Sequence, residues 1–394
     1  IVFIQFMEGN FEMEERIACI KNTMAGEPAD HVPVILDFEI SYACELAGID
    51  FLEATWNYEK IIEAYEKILS TFEMDANLGM GWLPPQRSEI LGSKTWIQNR
   101  RTGTMQHPEV MSLSENDYQA LIEDPLRCIV NKVLPGMYSA LGKDSVKDIT
   151  AISKALLFEK SQVADFYNKL YDLTYAKGVP IYYGTMFYAP FDLLGDHLRG
   201  ITQISMDLRR KKRELEAACE ALTPVMIDYV ENTLPTDADG ISCACSWVHL
   251  PPMISPRHFE KFFWPTFKKV CDALAAKGHT IYLQFQGDYT DGRYFDYYSE
   301  LPEGKVILAV EHQNFKKALD ILGSKNMVCC SYPLDYLTNY STEECLDKAR
   351  ELMDIGMESK RFYFGFNKPA FSFKDAPPEK MKAVIDFVNE YGKY

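Results

Sequence analysis

The chain has 394 residues, 47% of them hydrophobic, and a formal net charge of −16. That apolar content supplies one barrel-sized core or two smaller ones, and the acidity excludes a general binder of nucleic acid or anionic membrane. No apolar run reaches the ~18 residues of a membrane span, and the opening "IVFIQF" lacks the basic flank and cleavage site of a secretory leader.

In chain order, a helical extension precedes the first strand-like run, "VPVILDF" (32–38), which leads into Asp37 and Glu39. A helical pattern follows at 57–72, then a weaker strand candidate, "MDANLGMGW" (74–82). Residues 83–177 break the rhythm: the stretch around "GSKTWIQNRRTGTMQ" reads as a hairpin with helices after it. Strand patterns return at "GVPIYYGTMF" (178–187), "DGISCACSW" (239–247), "HTIYLQF" (279–285), "KVILAVE" (305–311), "NMVCCSY" (326–332) and "RFYFGFN" (361–367). Amphipathic helices are expected between them at 209–234, 255–278, 314–323 and 341–356, and the chain closes on a Pro-initiated one. Ser255 before Pro256, and Ser341 or Thr342 before Glu343 and Glu344, mark helix starts; Gly278 and Gly323 mark stops.

Eight strands alternating with helices predict an α/β fold, a (β/α)8 TIM barrel, read as one domain over 1–394 with 83–177 as an insertion between strands two and three packed on the barrel. A doubly wound sheet would want a Gly-rich turn after the first strand, and "DFEISYACELAG" has none. Barrel chemistry sits at the C-terminal ends of the strands. That rule selects Asp37, Glu39, Tyr183, Cys245, His249, Gln284, Gln286, Asp288, Glu311, Cys330 and Asn367. Gln284 and Gln286, two apart on one strand, share a face.

Ten cysteines without a dense framework point to a reducing, cytoplasmic setting and to buried small hydrophobes. The basic run Arg209–Arg213 reads first as a solvated helix face. In "GDHLRG", His197 and Arg199 are expected to pair locally with Asp196 or Asp192. The aromatics at 182–191 suit either core packing or an aromatic-substrate pocket.

The order of "ADHVPVILDF", "APFDLLGDHLRGITQISMDL", "ISPRHFEKFFWPTFKKV", "GHTIYLQFQGD" and "NKPAFSFKDAPPEKMKAVIDFVNEYG" resembles the uroporphyrinogen decarboxylase superfamily over nearly the whole chain. One branch of that family decarboxylates uroporphyrinogen and carries an arginine-rich motif after strand one. Here "LDFEISYACELAG" stands there, with acids and no base, and an acidic mouth repels a substrate of many carboxylates. The other branch moves methyl groups to or from corrinoid proteins, and its thiol-methylating members hold zinc with a His-x-Cys pair on strand five and a Cys on strand eight. Gln284, Gln286 and Phe366-Asn367 occupy those places, and neutral amides are poor zinc ligands. Cys243, Cys245, His249, Glu311 and Cys330 form the fallback metal set.

The resemblance therefore implies a methyltransferase acting between a small methylated donor, such as an O-methyl compound, and a corrinoid (cobalamin) protein docked over the mouth. Glu311, Asp288, His249 and Tyr183 are its candidate catalytic acids, and Gln284, Gln286, Asn367, Asp37 and Glu39 its substrate-binding groups. A decarboxylase acting on another carboxylate, and a non-catalytic binding protein with a lost zinc site, are the alternatives.

Overall fold

A computed structural model describes residues 11–79, 81–234 and 243–394. Eight barrel strands follow in chain order: β1 (Ile35–Leu36), β2 (Ala76–Asn77), β3 (Tyr183–Met186), β4 (Cys243–Val248), β5 (Thr280–Tyr289), β6 (Val306–Gln313), β7 (Met327–Cys329) and β8 (Phe362–Tyr363). β3 to β8 form a six-stranded parallel sheet in sequential order, and β1 pairs with β2 in parallel. Backbone hydrogen bonds close the cylinder. Ile35 N donates to Phe364 O at 2.9 Å, and Phe364 N donates to Pro33 O at 2.8 Å. On the other seam Asn77 N donates to Pro180 O at 3.0 Å, and Tyr182 N donates to Asn77 O at 2.8 Å. Pro33 and Pro180 accept at the seams but have no N–H to donate, so regular pairing stops there.

Side chains two apart on each strand point into the barrel. Ile35, Ala76, Tyr182, Cys243, Cys245, Tyr282, Ile307, Ala309, Met327, Cys329 and Tyr363 form one buried interior cluster. Bulky tyrosines there face small Ala and Cys, as a closed cylinder requires. Ile20 and Met24 of the helix Phe11–Ala25 join the same cluster, so this helix plugs the N-terminal end of the barrel. A second, larger cluster lies between the strands and the outer helices.

Every strand run read from sequence carries a barrel strand. Residues 239–242 of the fourth run, and the opening segment 1–10, lie outside the described residues. The insertion holds an antiparallel hairpin, Ile97–Gln98 with Met105–Gln106, among helices that include Pro85–Leu91, Ser145–Phe158 and Ala164–Ala176.

Two helix expectations change. The helix expected over 209–234 is two helices, Ile201–Arg210 and Lys212–Thr233, because Lys211 leaves helical geometry at φ −130°. The helix expected over 255–278 passes through a π-turn at Phe259–Phe263 just before Trp264-Pro265. Pro265 has no N–H for the carbonyl four residues back, and the wider turn absorbs the mismatch. Ser341 and Glu344 form a complete capping box. Gly278 ends its helix at φ 94°, whereas Gly323 stops one in right-handed geometry at φ −67°. No described helix is long and apolar enough to cross a membrane.

Candidate active site

At the C-terminal mouth of the barrel, Asp37, Tyr282, Gln284, Cys329, Tyr363 and Lys368 line a cavity of about 20 Å³, room for one water-sized group. A roomier cavity of about 890 Å³ lies at the opposite end, against the N-terminal helix, His31 and Asp75. Barrel chemistry belongs to the strand C-termini, which makes the small cavity the candidate site.

Asp37 follows β1 with the parity of Ile35, so it points inward. Burial, reinforced by the charge of Glu39, lifts its carboxyl from the usual range to about 8. Glu39 is raised as well, by burial. The hydroxyl of Tyr65, fully buried on the helix Tyr58–Thr71, has no hydrogen-bond partner among the described residues and feels the charge of Asp37. Its apolar helical spacing reads as ordinary core, which hid it from sequence reasoning.

Gln284 is 9% exposed. Its Oε1 accepts from Tyr282 Oη at 2.8 Å, and its Nε2 donates to Asn367 O at 3.4 Å. Asn367 Oδ1 in turn accepts from Leu334 N at 3.0 Å, so this side chain braces the loop after β7. Gln286 shares the strand face of Gln284 but lies where β5 and β6 shift register, between Phe285 and Asp288. Gly287 there adopts φ 101°, and a Cβ would sit 3.1 Å from Pro252, so glycine alone suits the position. Its N–H donates to Glu311 Oε2 at 2.8 Å, which ties the ends of β5 and β6 together. Asp288 is exposed and does not share the cavity. Its Oδ1 accepts from Thr290 Oγ1 at 2.6 Å and Thr290 N at 2.9 Å, contacts that hold the carboxyl below its usual range. Tyr183 lies on β3, but its side chain is outside the described residues.

A second polar group forms where β3 and β4 end. His249 Nδ1 lies 2.8 Å from Asp196 Oδ2, and His249 N donates to Asp192 Oδ2 at 3.0 Å. Burial pulls His249 down, but the hydrogen bond and charge of Asp196 outweigh it and the imidazole is raised. Burial and the charge of Asp196 lift Asp192 to about 7. Beside them, Trp96 and His107 stack at 4.3 Å, and His197 packs edge-on against Tyr188 at 4.5 Å. The ion pairs expected for "GDHLRG" are different in space. His197 is lowered to about 4, chiefly by burial. Arg199 turns away from Asp192 and Asp196 to Asp207, with Nε–Oδ2 at 2.8 Å and Nη2–Oδ1 at 3.1 Å. Asp196, not His197, is the side chain that engages His249; it lies four positions from Asp192, a spacing that puts both acids on one side of a helix.

The fallback metal set does not assemble. Cys243 and Cys245 belong to the barrel interior, while Cys330 donates to Gly365 O at 3.6 Å from the outer cluster. His249 is held by Asp196, and Glu311 by Gly287. Among the described residues no three His, Cys, Asp or Glu side chains converge on a point where an ion could sit. The amides on β5 do not fit zinc either. All ten cysteines are free and buried. Cys329, rather than Cys330, is the thiol at the mouth. Its Sγ accepts from Ser331 N at 3.3 Å, and Ser331 holds the left-handed φ of 53°. The alternation that puts Met327 inside the barrel also puts Cys329 there.

A closed parallel barrel with a carboxyl group raised above its usual range and a braced amide at its C-terminal mouth defines a (β/α)8 protein with its candidate site at the strand ends. The Uroporphyrinogen decarboxylase (URO-D) profile matches residues 144–391, and the chain belongs to that family. Among solved structures, a methyltransferase from Methanosarcina mazei is similar at 14% identity and a TM-score of 0.61 over 95% of this chain and 98% of that one. No curated protein gives a significant match.

Proposed function

We propose that the chain is a methyltransferase that moves a methyl group between a small O-methyl compound and a corrinoid carried by a partner protein, in the reducing setting that its free thiols suit. The observation that supports this most is Asp37. A carboxyl raised to about 8 is protonated at neutral pH, and it lines the same cavity as Gln284. Breaking a methyl–oxygen bond leaves the electron pair on oxygen, and a positioned acid supplies the proton that oxygen needs. Asp37 takes this role in place of Asp288, whose exposed carboxyl is held ionised by Thr290.

The corrinoid, when bound with its carrier, would supply the nucleophile that receives the methyl group. Trp96, His107, His197 and Tyr188 form a run of ring contacts, stacked, tilted and edge-on in turn, that a macrocycle over the mouth would meet. Gln284, held by Tyr282, would orient the donor oxygen toward Asp37. The structure of the Methanosarcina mazei methyltransferase, alike in fold over 95% of this chain, is in keeping with the reading. Among the described residues Lys368 is the one cation on the cavity and no arginine lines it, so a polycarboxylate finds little to grip.

The test is to incubate the purified chain with reduced cobalamin and a panel of methoxylated compounds. Methylated corrinoid, read from the visible spectrum, is expected. Release of carbon dioxide from a carboxylate panel without methyl transfer would select a decarboxylase instead.

A further inference from the structure

Beside the mouth, the helix Ile201–Arg210 and the loop Leu250–His258 enclose an apolar groove of about 180 Å³. Phe191, Ile204, Leu208, Leu250, Met253 and Ile254 line it. Met253 is 68% exposed and Ile201 is 42% exposed, so the groove opens to solvent with no cover among the described residues. Arg209 and His258 stand at its edge, and Lys212 and Arg209 lie near enough to His258 to act on its charge. Lys211 pairs with Glu214 at 3.9 Å, but the side chains of Arg209, Arg210, Lys212 and Arg213 form no ion pair among the described residues. Cations on the neighbouring helices behave differently: Lys261 reaches Glu216 at 3.1 Å and Lys269 reaches Glu220 at 2.7 Å. Four uncompensated cations beside an open apolar groove are unusual on a chain of net charge −16.

We infer that this face docks a protein partner through an acidic segment that carries an apolar anchor side chain. The anchor fills the groove, and the acids meet Arg209, Arg210, Lys212 and Arg213. Screening over ~8–10 Å lets the local basic edge act despite the acidic whole. A phosphate backbone or a lipid headgroup offers no side chain for the groove, and the remaining surface repels both. The groove's loop begins one residue after His249, and its helix begins shortly after Asp196, so a partner seated there overhangs the mouth. The inference holds whichever chemistry the mouth performs.

The test uses the full chain and a fluorescein-labelled synthetic helical peptide with two leucines at i and i+4 among glutamates, read by fluorescence anisotropy. Saturable binding is expected, weakening steeply with salt. Met253→Asp should weaken it about tenfold and Arg209→Glu with Arg213→Glu by more, with circular dichroism unchanged. A peptide with serines for the leucines should bind far less. No binding, binding indifferent to these substitutions, or a preference of the same residues for phosphatidylserine vesicles or single-stranded DNA would each overturn the proposal.

Discussion

The hydroxyl of Tyr282 donates to Oε1 of Gln284 across 2.8 Å, two positions along one strand, on the inner face of the barrel. The pair turns an amide at a strand end into a group with one fixed orientation. Tyr282 is 5% exposed and Gln284 is 9% exposed, so neither finds ready compensation from water.

Gln284→Leu leaves that hydroxyl to its neighbour Tyr363 and is expected to cost about 0.5–1.5 kcal/mol in urea unfolding. Adding Tyr282→Phe removes both partners together. The double variant should lie closer to wild type than the sum of the two single changes. Strict additivity would show that the pair is not coupled.

Asp37 sets a pH limit. Its acid form is lost as pH rises through about 8, so methyl transfer should fall on that alkaline limb. Asp37→Asn should lower turnover about 10²- to 10⁴-fold and abolish the limb. Stability carries the same sign. Between the ordinary value of 3.8 and about 8 the folded state keeps a proton that the unfolded chain has lost, so stability declines as pH rises across that window. The decline should be shallower in Asp37→Asn, as followed by thermal melts.

At the other end of the barrel His31 Nε2 lies 2.9 Å from Asp75 Oδ1, and Asp75 Oδ2 accepts from Val34 N at 2.7 Å at the start of β1. The hydrogen bond to Asp75 is the main reason His31 is raised to about 10. The stability this imidazolium contributes is complete below pH 6.5 and is lost as pH rises through about 10. Melting temperatures across that window should fall more steeply in wild type than in His31→Gln.

Arg199 is 2% exposed and holds Asp207, which also accepts from Tyr118 Oη at 2.7 Å. Arg199 Nη1 reaches back to Leu113 O at 2.8 Å, so the pair clamps the insertion to the barrel. Arg199→Met leaves the Asp207 charge buried with the Tyr118 hydroxyl but no cation beside it, and should destabilise by about 3–5 kcal/mol. Arg199→Met with Asp207→Leu should recover much of that loss.

Metal analysis of the protein grown with zinc should return well under one equivalent, because Gln284 and Gln286 offer amides where the family's zinc-binding members offer imidazole and thiolate. One full equivalent would require ligands other than those described here.

Strand and helix periodicity, which are local properties, made the barrel legible. Runs such as "KVILAVE" stay apolar because both faces of the strand are buried, and the helices between them carry their own caps, as Ser341 and Glu344 show. The same alternation placed Asp37 and Gln284 at the mouth before any contact was known. Distance along the chain hid the rest. Asp196 meets His249 across 53 positions, and Arg199 meets Leu113 across 86, choices made by packing among several acids and carbonyls equally near in sequence. Tyr65 looked like core because its helix face is core, and only the closed barrel sets its hydroxyl beside Asp37. Protonation is likewise a tertiary property: Asp37 and Asp288 both end strands, but burial lifts one while open solvent and Thr290 keep the other ionised. The residue types and their order along the barrel were thus determined by sequence alone. Which of them share a cavity, and which keep a proton there, was decided by desolvation and by contacts that exist only once the cylinder closes.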